Sequence, residues 1–259
     1  IEDYVNFARN KAFLDAMCHQ GNDFQIKKRF WDHLNEVTAE WNEPGRFTTF
    51  PGYEWSGNTA VGGDRNVIYA NEGCTLRRCS HALIETRDDM ENDAHTISDL
   101  YAALRKSGED TVIFAHVGGR YANIEIDHDA ALETAVEIHS DWGTFEWMAT
   151  DCFRLGRRIG IVANSDGHKG RPGASYPGSS DFGAYGGLTC FLARENSRTA
   201  LFEAMRARHH YATTGCRMYL DVTAAGKDGA VMMGDITTPA GAGHPVEVTA
   251  HAGSGDRKE

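Results

Sequence analysis

The chain has 259 residues, and 41% of them are hydrophobic, which is enough for one full core and a small additional piece. Its formal net charge of −11 repels phosphate backbones, so we expect no non-specific nucleic-acid binding. No apolar run approaches the roughly 18 residues of a membrane span, and Ile1 to Tyr4 do not resemble the start of a signal peptide. We expect a cytoplasmic protein without membrane contact. Both ends look cut from a longer chain, which leaves a signal further upstream open.

Six cysteines occur without a Cys-x-x-Cys pair, which argues against a zinc ribbon or a thioredoxin motif. Cys74 and Cys79 are candidates for a disulfide, and free thiols in a reducing compartment are the alternative that we prefer. The twelve histidines are the richer source of candidate ligands.

The first half of the chain alternates helical and extended patterns. The residues Trp31, Leu34, Val37 and Trp41 recur at helical spacing, and Pro44-Gly45 ends that pattern. The patterns predict helices over residues 3–11 and 27–41, and strands over residues 12–18, 46–53 and 66–70.

The same alternation continues in the second half. Ser98 is a plausible N-cap for a helix that carries Leu100 and Leu104 and that Gly108 closes. Strands that alternate with helices predict an α/β fold with a mostly parallel sheet or barrel. Further helices are predicted over 144–155 and 197–208, and strands over 111–115, 135–139, 158–163, 188–193 and 211–215.

The sequence pattern changes after Gly215. Residues 218–224 and 246–250 alternate like antiparallel strands, and no helical pattern follows. We therefore predict an α/β domain over residues 1–215 and the start of a β-rich extension over residues 216–259.

Residues of the metal-ligating types follow or lie on five of the predicted strands. Because the carboxyl ends of parallel strands meet at one rim, where active sites are built, these residues are expected to converge. His, Glu and Asp suit zinc, manganese or iron. The residues concerned are His19, Glu54, His116, Glu137 and His139, and Asp166 with His168.

Each of these residues has a structural alternative when it is taken alone. Glu54 can cap a loop, Ser165-Asp166-Gly167 can be only a turn, and His139 can pack beside Trp142. Their shared position at one end of the strands is what favours a site. The chain has no Gly-x-Ser-x-Gly elbow, no phosphate loop of the Gly-x4-Gly-Lys-Ser/Thr type and no His-Glu-x-x-His helix.

Several segments resemble the motifs of the PHP (polymerase and histidinol phosphatase) superfamily. The nearest resemblance is to a bacterial branch in which β-rich sequence follows the PHP domain, and it covers most of residues 12–222. The segments, in chain order, are Phe50 to Ser56, Ala115 to Gly119, Val136 to Ile138, Asn164 to His168 and Tyr211 to Gly215.

This resemblance implies a distorted (β/α)7 TIM-like barrel, a cluster of two or three divalent metal ions and phosphoester hydrolysis. It implies that Glu54 bridges metal ions and that His116 is a terminal ligand. Asp166 and His168 would complete the cluster. The implied substrate is a small phosphorylated molecule.

The chain departs from the family pattern in three places. It has no opening His-x-His motif, so we expect the barrel to lack its first strand. Residues 20–22, Gln-Gly-Asn, align with the family's Thr-Asp-His motif, and His19 or Asp23 would have to compensate. Asp64 stands where the family has a histidine and is still a possible ligand. The expected number of divalent ions, zinc, manganese or iron, is therefore one to three.

Three arginines are candidates to hold a phosphate by paired donors: Arg171, Arg120 and Arg65. Their alternative role is solvated surface charge. His139 is a candidate general acid or additional ligand, and the glycine-rich segment 167–187 could close over the site.

Two other functions stay open at this point. The lost motifs favour a degenerate, non-catalytic domain that binds a ligand or supports the extension. A metal hydrolase of the amidohydrolase type would also use His and Asp at the rim, but it usually carries a ligand Lys at a strand end, and no Lys occupies such a position here.

Overall fold

The computed structural model describes residues 1–178, 182–227, 229–238 and 246–254. These residues form a mixed α/β fold, and the predicted helices are all present close to their predicted ends. The helices are α1 (Glu2–Asn10), α2 (Lys28–Trp41), α3 (Ile97–Ser107), α4 (Glu146–Arg154) and α5 (Arg198–Ala207).

The strands are short, and most of them coincide with a predicted one. They are β1 (Ala16–Cys18), β2 (Thr48–Phe50), β3 (Gly52–Ser56), β4 (Asp64–Tyr69), β5 (Thr111–Ala115), β6 (Glu133–Ser140), β7 (Gly143–Thr144), β8 (Gly160–Ala163), β9 (Leu188–Phe191), β10 (His210–Thr213), β11 (Met218–Gly226), β12 (Gly229–Met232) and β13 (Val248–Ser254).

The largest sheet has the order β3-β4-β5-β6-β7, with β8 also paired to β6. β5, β6 and β8 are parallel, but β4 runs antiparallel to both β3 and β5. The prediction of a mostly parallel sheet is therefore wrong. Since β4 runs backwards, its first residue, Asp64, lies opposite Ser56 at the carboxyl end of β3.

The predicted strand 46–53 is divided at Pro51, which cannot donate a backbone hydrogen bond. β2 pairs in parallel with β1, and β3 begins the large sheet. Strands β9 and β10 form a further antiparallel pair. Within the described ranges the hydrogen-bonded sheets do not close, so the structure shows a mixed α/β fold and not a closed barrel.

Helix α3 begins at a different cap from the predicted one. The Thr96 side chain accepts a hydrogen bond from the Asp99 backbone N–H, and the Asp99 carboxylate accepts one from the Thr96 N–H. This reciprocal capping box satisfies two backbone donors. The N-cap is therefore Thr96, and Ser98 lies inside the first turn. Gly108 closes the helix in the left-handed conformation, as predicted.

The two faces of the large sheet pack against different helices. On one face, Tyr53, Val67 and Ile113 pack with residues of α2 and α3. On the other face, Ile68 and Phe114 pack with residues of α5. Because neighbouring residues of a strand point to opposite faces, this division fixes which polar residues share a face.

The β-rich extension is a three-stranded antiparallel sheet with β11 in the centre. β11 pairs with β13 from Met218 opposite Ser254 to Ala224 opposite Val248. The division of the chain at residues 215 and 216 stays a prediction. The six cysteines are free, Cys74 and Cys79 included, and none of the described helices is long and apolar enough to cross a membrane.

Candidate functional site

A cavity of about 330 Å³ opens on the α5 face of the large sheet. Its apolar floor includes Phe50, Ile68 and Phe114. Its polar wall is formed by residues at the carboxyl ends of several strands. The acidic and histidine residues that line it are His19, Glu54, His116, Glu137, Asp166 and His168.

His116 lies at the centre of this polar wall and is almost fully buried. Its Nδ1 is 2.7 Å from Oε1 of Glu137. Its Nε2 is 3.5 Å from Oδ2 of Asp166 and 4.0 Å from Oε2 of Glu54. Glu137 therefore holds Nδ1 of His116, and Nε2 is directed at Asp166 and Glu54. Metal-ligating histidines usually have one ring nitrogen held by a carboxylate in this way.

Asp166 follows β8 in a backbone conformation that is rare for a non-glycine residue, with φ of 45°. Its Oδ2 is buried and has no hydrogen-bond partner among the described residues. Burial, together with the negative charges of Glu137 and Glu54, raises the pKa of Asp166 to about 8 despite the opposing charge of His116. A buried carboxyl oxygen that has no hydrogen bond and lies 3.5 Å from Nε2 of His116 is suited to a cation.

Asp64 and Arg120 form the edge of the same cluster. The Asp64 carboxylate accepts hydrogen bonds from Nε and from the backbone N–H of Arg120, both at 2.9 Å. Arg120 also brings a terminal nitrogen within 3.7 Å of Oε1 of Glu54, and its guanidinium carbon lies 5.2 Å from the centre of the Phe24 ring. Burial and the charge of Glu54 raise the pKa of Asp64 to about 6.

The cluster carries more negative than positive groups. Four carboxyl groups, those of Glu54, Asp64, Glu137 and Asp166, surround His116 and Arg120. Although burial acts in the opposite direction, the charges of Glu137 and Asp166 raise the pKa of His116 well above its ordinary value. The raised pKa of His116 and the raised pKa of Asp166 both reflect a site that favours additional positive charge.

We compared this geometry with the requirements of a divalent cation. Among the described residues, no three His, Cys, Asp or Glu side chains are already arranged to hold an ion. The separations of 3.5 and 4.0 Å from Nε2 of His116 nevertheless approach the roughly 3.4 Å between two ligands of a tetrahedral ion at about 2.1 Å. The donor types, and the buried oxygen of Asp166 that lacks a hydrogen bond, therefore fit one divalent cation.

Residues 2–122 and 163–231 match the family described as "Protein of unknown function (DUF3604)". The chain belongs to the DUF3604 family. The matched segments contain Glu54, Asp64, His116 and Asp166, whereas Glu137 lies between them.

One curated relative and one solved structure extend the comparison. An uncharacterized protein of Chlamydia pneumoniae is 24% identical over an alignment of 249 residues. The match covers 85% of this chain and 37% of that protein, so the chain spans little more than a third of that relative. A two-domain protein of Bacteroides vulgatus, described as containing a predicted PHP-like metal-dependent phosphoesterase, is similar in structure. The identity is 12%, the TM-score is 0.51, and the match covers 99% of this chain and 82% of the other. At this identity the likeness concerns the fold alone.

His168 and His19 complete the lining of the cavity of this DUF3604 chain, and His168 is exposed there. The Nδ1 of His168 donates to the backbone oxygen of Asp166 at 3.1 Å, and the exposed ring lies edge-on to the stacked pair of Trp142 and Phe182. Burial lowers the pKa of His19 to about 4, so this ring is neutral at pH 7.

Other predicted residues lie elsewhere. His139 contacts Thr144 Oγ1 and the backbone oxygen of Tyr185, both at 2.8 Å, and is not part of the described cavity wall. Arg171 is exposed and is not part of that wall either. Asp23 is buried and accepts the Cys79 N–H at 2.5 Å.

Arg65 is also remote from the cavity, because it lies on the opposite face of β4 from Asp64. It is fully buried, and its Nε donates to Glu133 Oε2 at 2.6 Å. It is therefore not available to hold a phosphate.

Glu137 was among the residues expected to converge at the rim, but no specific role was predicted for it, and none was predicted for Asn164 or Tyr4. Glu137 holds His116, and it shares a face with the cavity because β6 alternates. Asn164 directly follows β8 and donates to the second oxygen of Glu137. Asn164 could have been found from the rule that singled out Asp166 and Glu137. Tyr4 lies on α1, and no sequence pattern connects it with the strand ends.

Proposed function

We propose that this chain is a metal-dependent hydrolase, a phosphoesterase that acts on a small phosphorylated substrate. Glu54, His116 and Asp166 would bind a divalent cation, zinc, manganese or iron. The observation that carries the proposal is the convergence of two carboxylates on Nε2 of His116 in a cavity with excess negative charge. The fold likeness to a protein described as PHP-like supports it.

When bound, a divalent cation supplies Lewis acidity, which lowers the pKa of water towards neutrality and offsets charge on a phosphoryl group. Glu137 keeps Nδ1 of His116 occupied, so that Nε2 is directed towards the cavity. Arg120, held in place by Asp64, offers guanidinium donors for phosphate oxygens at the edge of the cluster. His168 stands at the mouth, where it can contact a substrate or a further cation.

The decisive experiment compares the wild-type protein with Asp166→Asn. We expect natively purified wild-type protein to contain divalent metal by elemental analysis and to hydrolyse p-nitrophenyl phosphate after Mn²⁺ or Zn²⁺ is added. Asp166→Asn should lose both properties and remain folded. Asp221→Asn, on β11 of the extension, is the matched control and should keep both. Equal metal content and activity in Asp166→Asn and wild type would contradict the proposal.

A non-catalytic ligand-binding domain is the second candidate. It is favoured by the fact that the described side chains are not arranged as a three-ligand group. Native metal content close to zero, together with no hydrolysis of any phosphate ester after Mn²⁺ and Zn²⁺ addition, would favour this candidate over the enzyme.

A further inference from the structure

Tyr4 connects two loops at the mouth of the cavity. Its hydroxyl donates a hydrogen bond to the backbone oxygen of Gly167 at 3.0 Å, across 163 residues of sequence. Its ring lies edge-on to His19, with 5.5 Å between ring centres and an interplanar angle of 75°. One partly buried side chain of α1 therefore contacts both the segment after β1 and the turn after β8.

The turn that Tyr4 contacts carries two of the residues that line the cavity. Asp166 has φ of 45°, a left-handed conformation that is unfavourable for an L-residue. Such a conformation persists only where several contacts define it. The side chain of His168 donates to the Asp166 backbone oxygen. A side chain at Gly167 would meet Ser175 Oγ at 2.2 Å, so the turn is packed closely on that side.

The position of Asp166 depends on this turn. Its Oδ2 is 3.5 Å from Nε2 of His116, and a small rotation of the backbone at residue 166 would move the carboxylate away from the histidine. The Tyr4 hydroxyl is the contact that holds the following carbonyl from outside the turn.

We propose that Tyr4 is a positioning residue that fixes the turn from Asp166 to His168, so that Asp166 is presented to the cation site. This inference rests on the proposed function, because it gives Asp166 the role of a ligand. Residues that hold metal ligands in place typically change metal affinity about 10- to 100-fold when they are removed.

The test uses Tyr4→Phe, which keeps the ring against His19 and removes only the hydroxyl donor. Tyr101→Phe is the matched control, because it removes a tyrosine hydroxyl that donates to Glu133 on the other face of the sheet. Mn²⁺ affinity is measured by isothermal titration calorimetry, stability by urea unfolding, and backbone mobility by amide hydrogen exchange of the segment around residues 164–170.

We expect the two variants to lose different properties. Tyr4→Phe should bind Mn²⁺ about tenfold more weakly and should exchange faster around residues 164–170, with little change in global stability. Tyr101→Phe should lose stability and keep both its Mn²⁺ affinity and its exchange in that segment.

Unchanged amide exchange of residues 164–170 in the Tyr4→Phe variant would overturn the inference. Equal losses of Mn²⁺ affinity in Tyr4→Phe and Tyr101→Phe would do so as well. If the wild-type protein binds neither Mn²⁺ nor Zn²⁺, the proposed function fails. The exchange comparison then decides by itself whether Tyr4 fixes the turn.

Discussion

Two buried charged clusters lie on opposite faces of β4, and they differ in their charge balance. Arg65 points to one face, where it pairs with Glu133, which also receives hydrogen bonds from Tyr101 and contacts His128. Asp64 points to the other face, where carboxylates outnumber the positive groups around His116. Adjacent residues of one strand thus belong to two clusters of different kinds.

The pKa values of the two clusters differ in direction. Burial alone would raise the pKa of Glu133, but the charge of Arg65 and hydrogen bonds from His128 and Tyr101 lower it to about 2. For Asp166, burial and neighbouring carboxylates act together and raise the pKa to about 8. Because both carboxyl groups are largely buried, their charged and hydrogen-bonding partners decide the direction of each pKa shift. The balanced cluster around Glu133 therefore supports the fold, and the unbalanced cluster around His116 is the candidate binding site.

The largest expected effect comes from breaking the balanced cluster. Arg65→Met would remove the hydrogen-bonded cation from Glu133, which would keep only His128 at 3.0 Å and the more distant Arg157 at 3.9 Å. We expect it to destabilise the protein by about 3–5 kcal/mol in urea unfolding. The matched change in the other cluster, Asp166→Asn, removes a carboxyl group whose Oδ2 has no hydrogen bond. It should change stability by less than about 1 kcal/mol without metal. Similar losses in the two variants would erase the distinction between the clusters.

The pH dependence of the stability should also distinguish the two clusters. The pKa of Glu133 is lowered in the folded state to about 2 from 4.5, so its contribution, about 3 kcal/mol, is fully present above pH 4.5 and is lost as the pH falls towards 2. Urea unfolding of wild type and Glu133→Gln between pH 7 and pH 3 tests this. The stability difference between them should shrink below about pH 4.5, and a constant difference would contradict the assignment.

Added cation should act on the unbalanced cluster alone. Mn²⁺ at 100 times its dissociation constant should stabilise the wild-type protein by about 2.7 kcal/mol. The same concentration should leave Asp166→Asn unchanged. Glu133→Gln, although less stable, should keep the full Mn²⁺-induced gain. The measurement is urea unfolding with Mn²⁺ and with a chelator. A gain in Asp166→Asn equal to that of wild type would place the cation elsewhere.

Much of the fold was predictable from local patterns. Strand β5 has the predicted bounds, residues 111–115, and the helices follow their apolar spacing. The reversed direction of β4 was not predictable, because it depends on which strands pair across the sheet. That reversal places Asp64 beside the carboxyl ends of β3 and β5.

The candidate site was predictable where strand alternation is regular. Glu54 and His116 lie on the cavity face of their strands, and Asp166 follows β8. His139 differs, because the pairing of β6 with β8 shifts register between Glu137 and His139. Two residues that regular alternation would place on one face therefore have different surroundings. The sequence contains no signal for this irregularity.

The smallest predicted effect tests how the balanced cluster is held together. Oε2 of Glu133 accepts hydrogen bonds from both Nε of Arg65, at 2.6 Å, and the Tyr101 hydroxyl, at 2.7 Å. Tyr101→Phe leaves the ion pair in place and removes one hydrogen bond to a charged group, so we expect a loss of about 1.5 kcal/mol in urea unfolding. Because Tyr101 helps to lower the pKa of Glu133, the acid-dependent loss of stability should be smaller in this variant and should end at a higher pH, with an unchanged onset near pH 4.5. If Tyr101→Phe costs as much as Arg65→Met, charge balance is not what stabilises this cluster, and the contrast with the cluster around His116 must rest on hydrogen bonding instead.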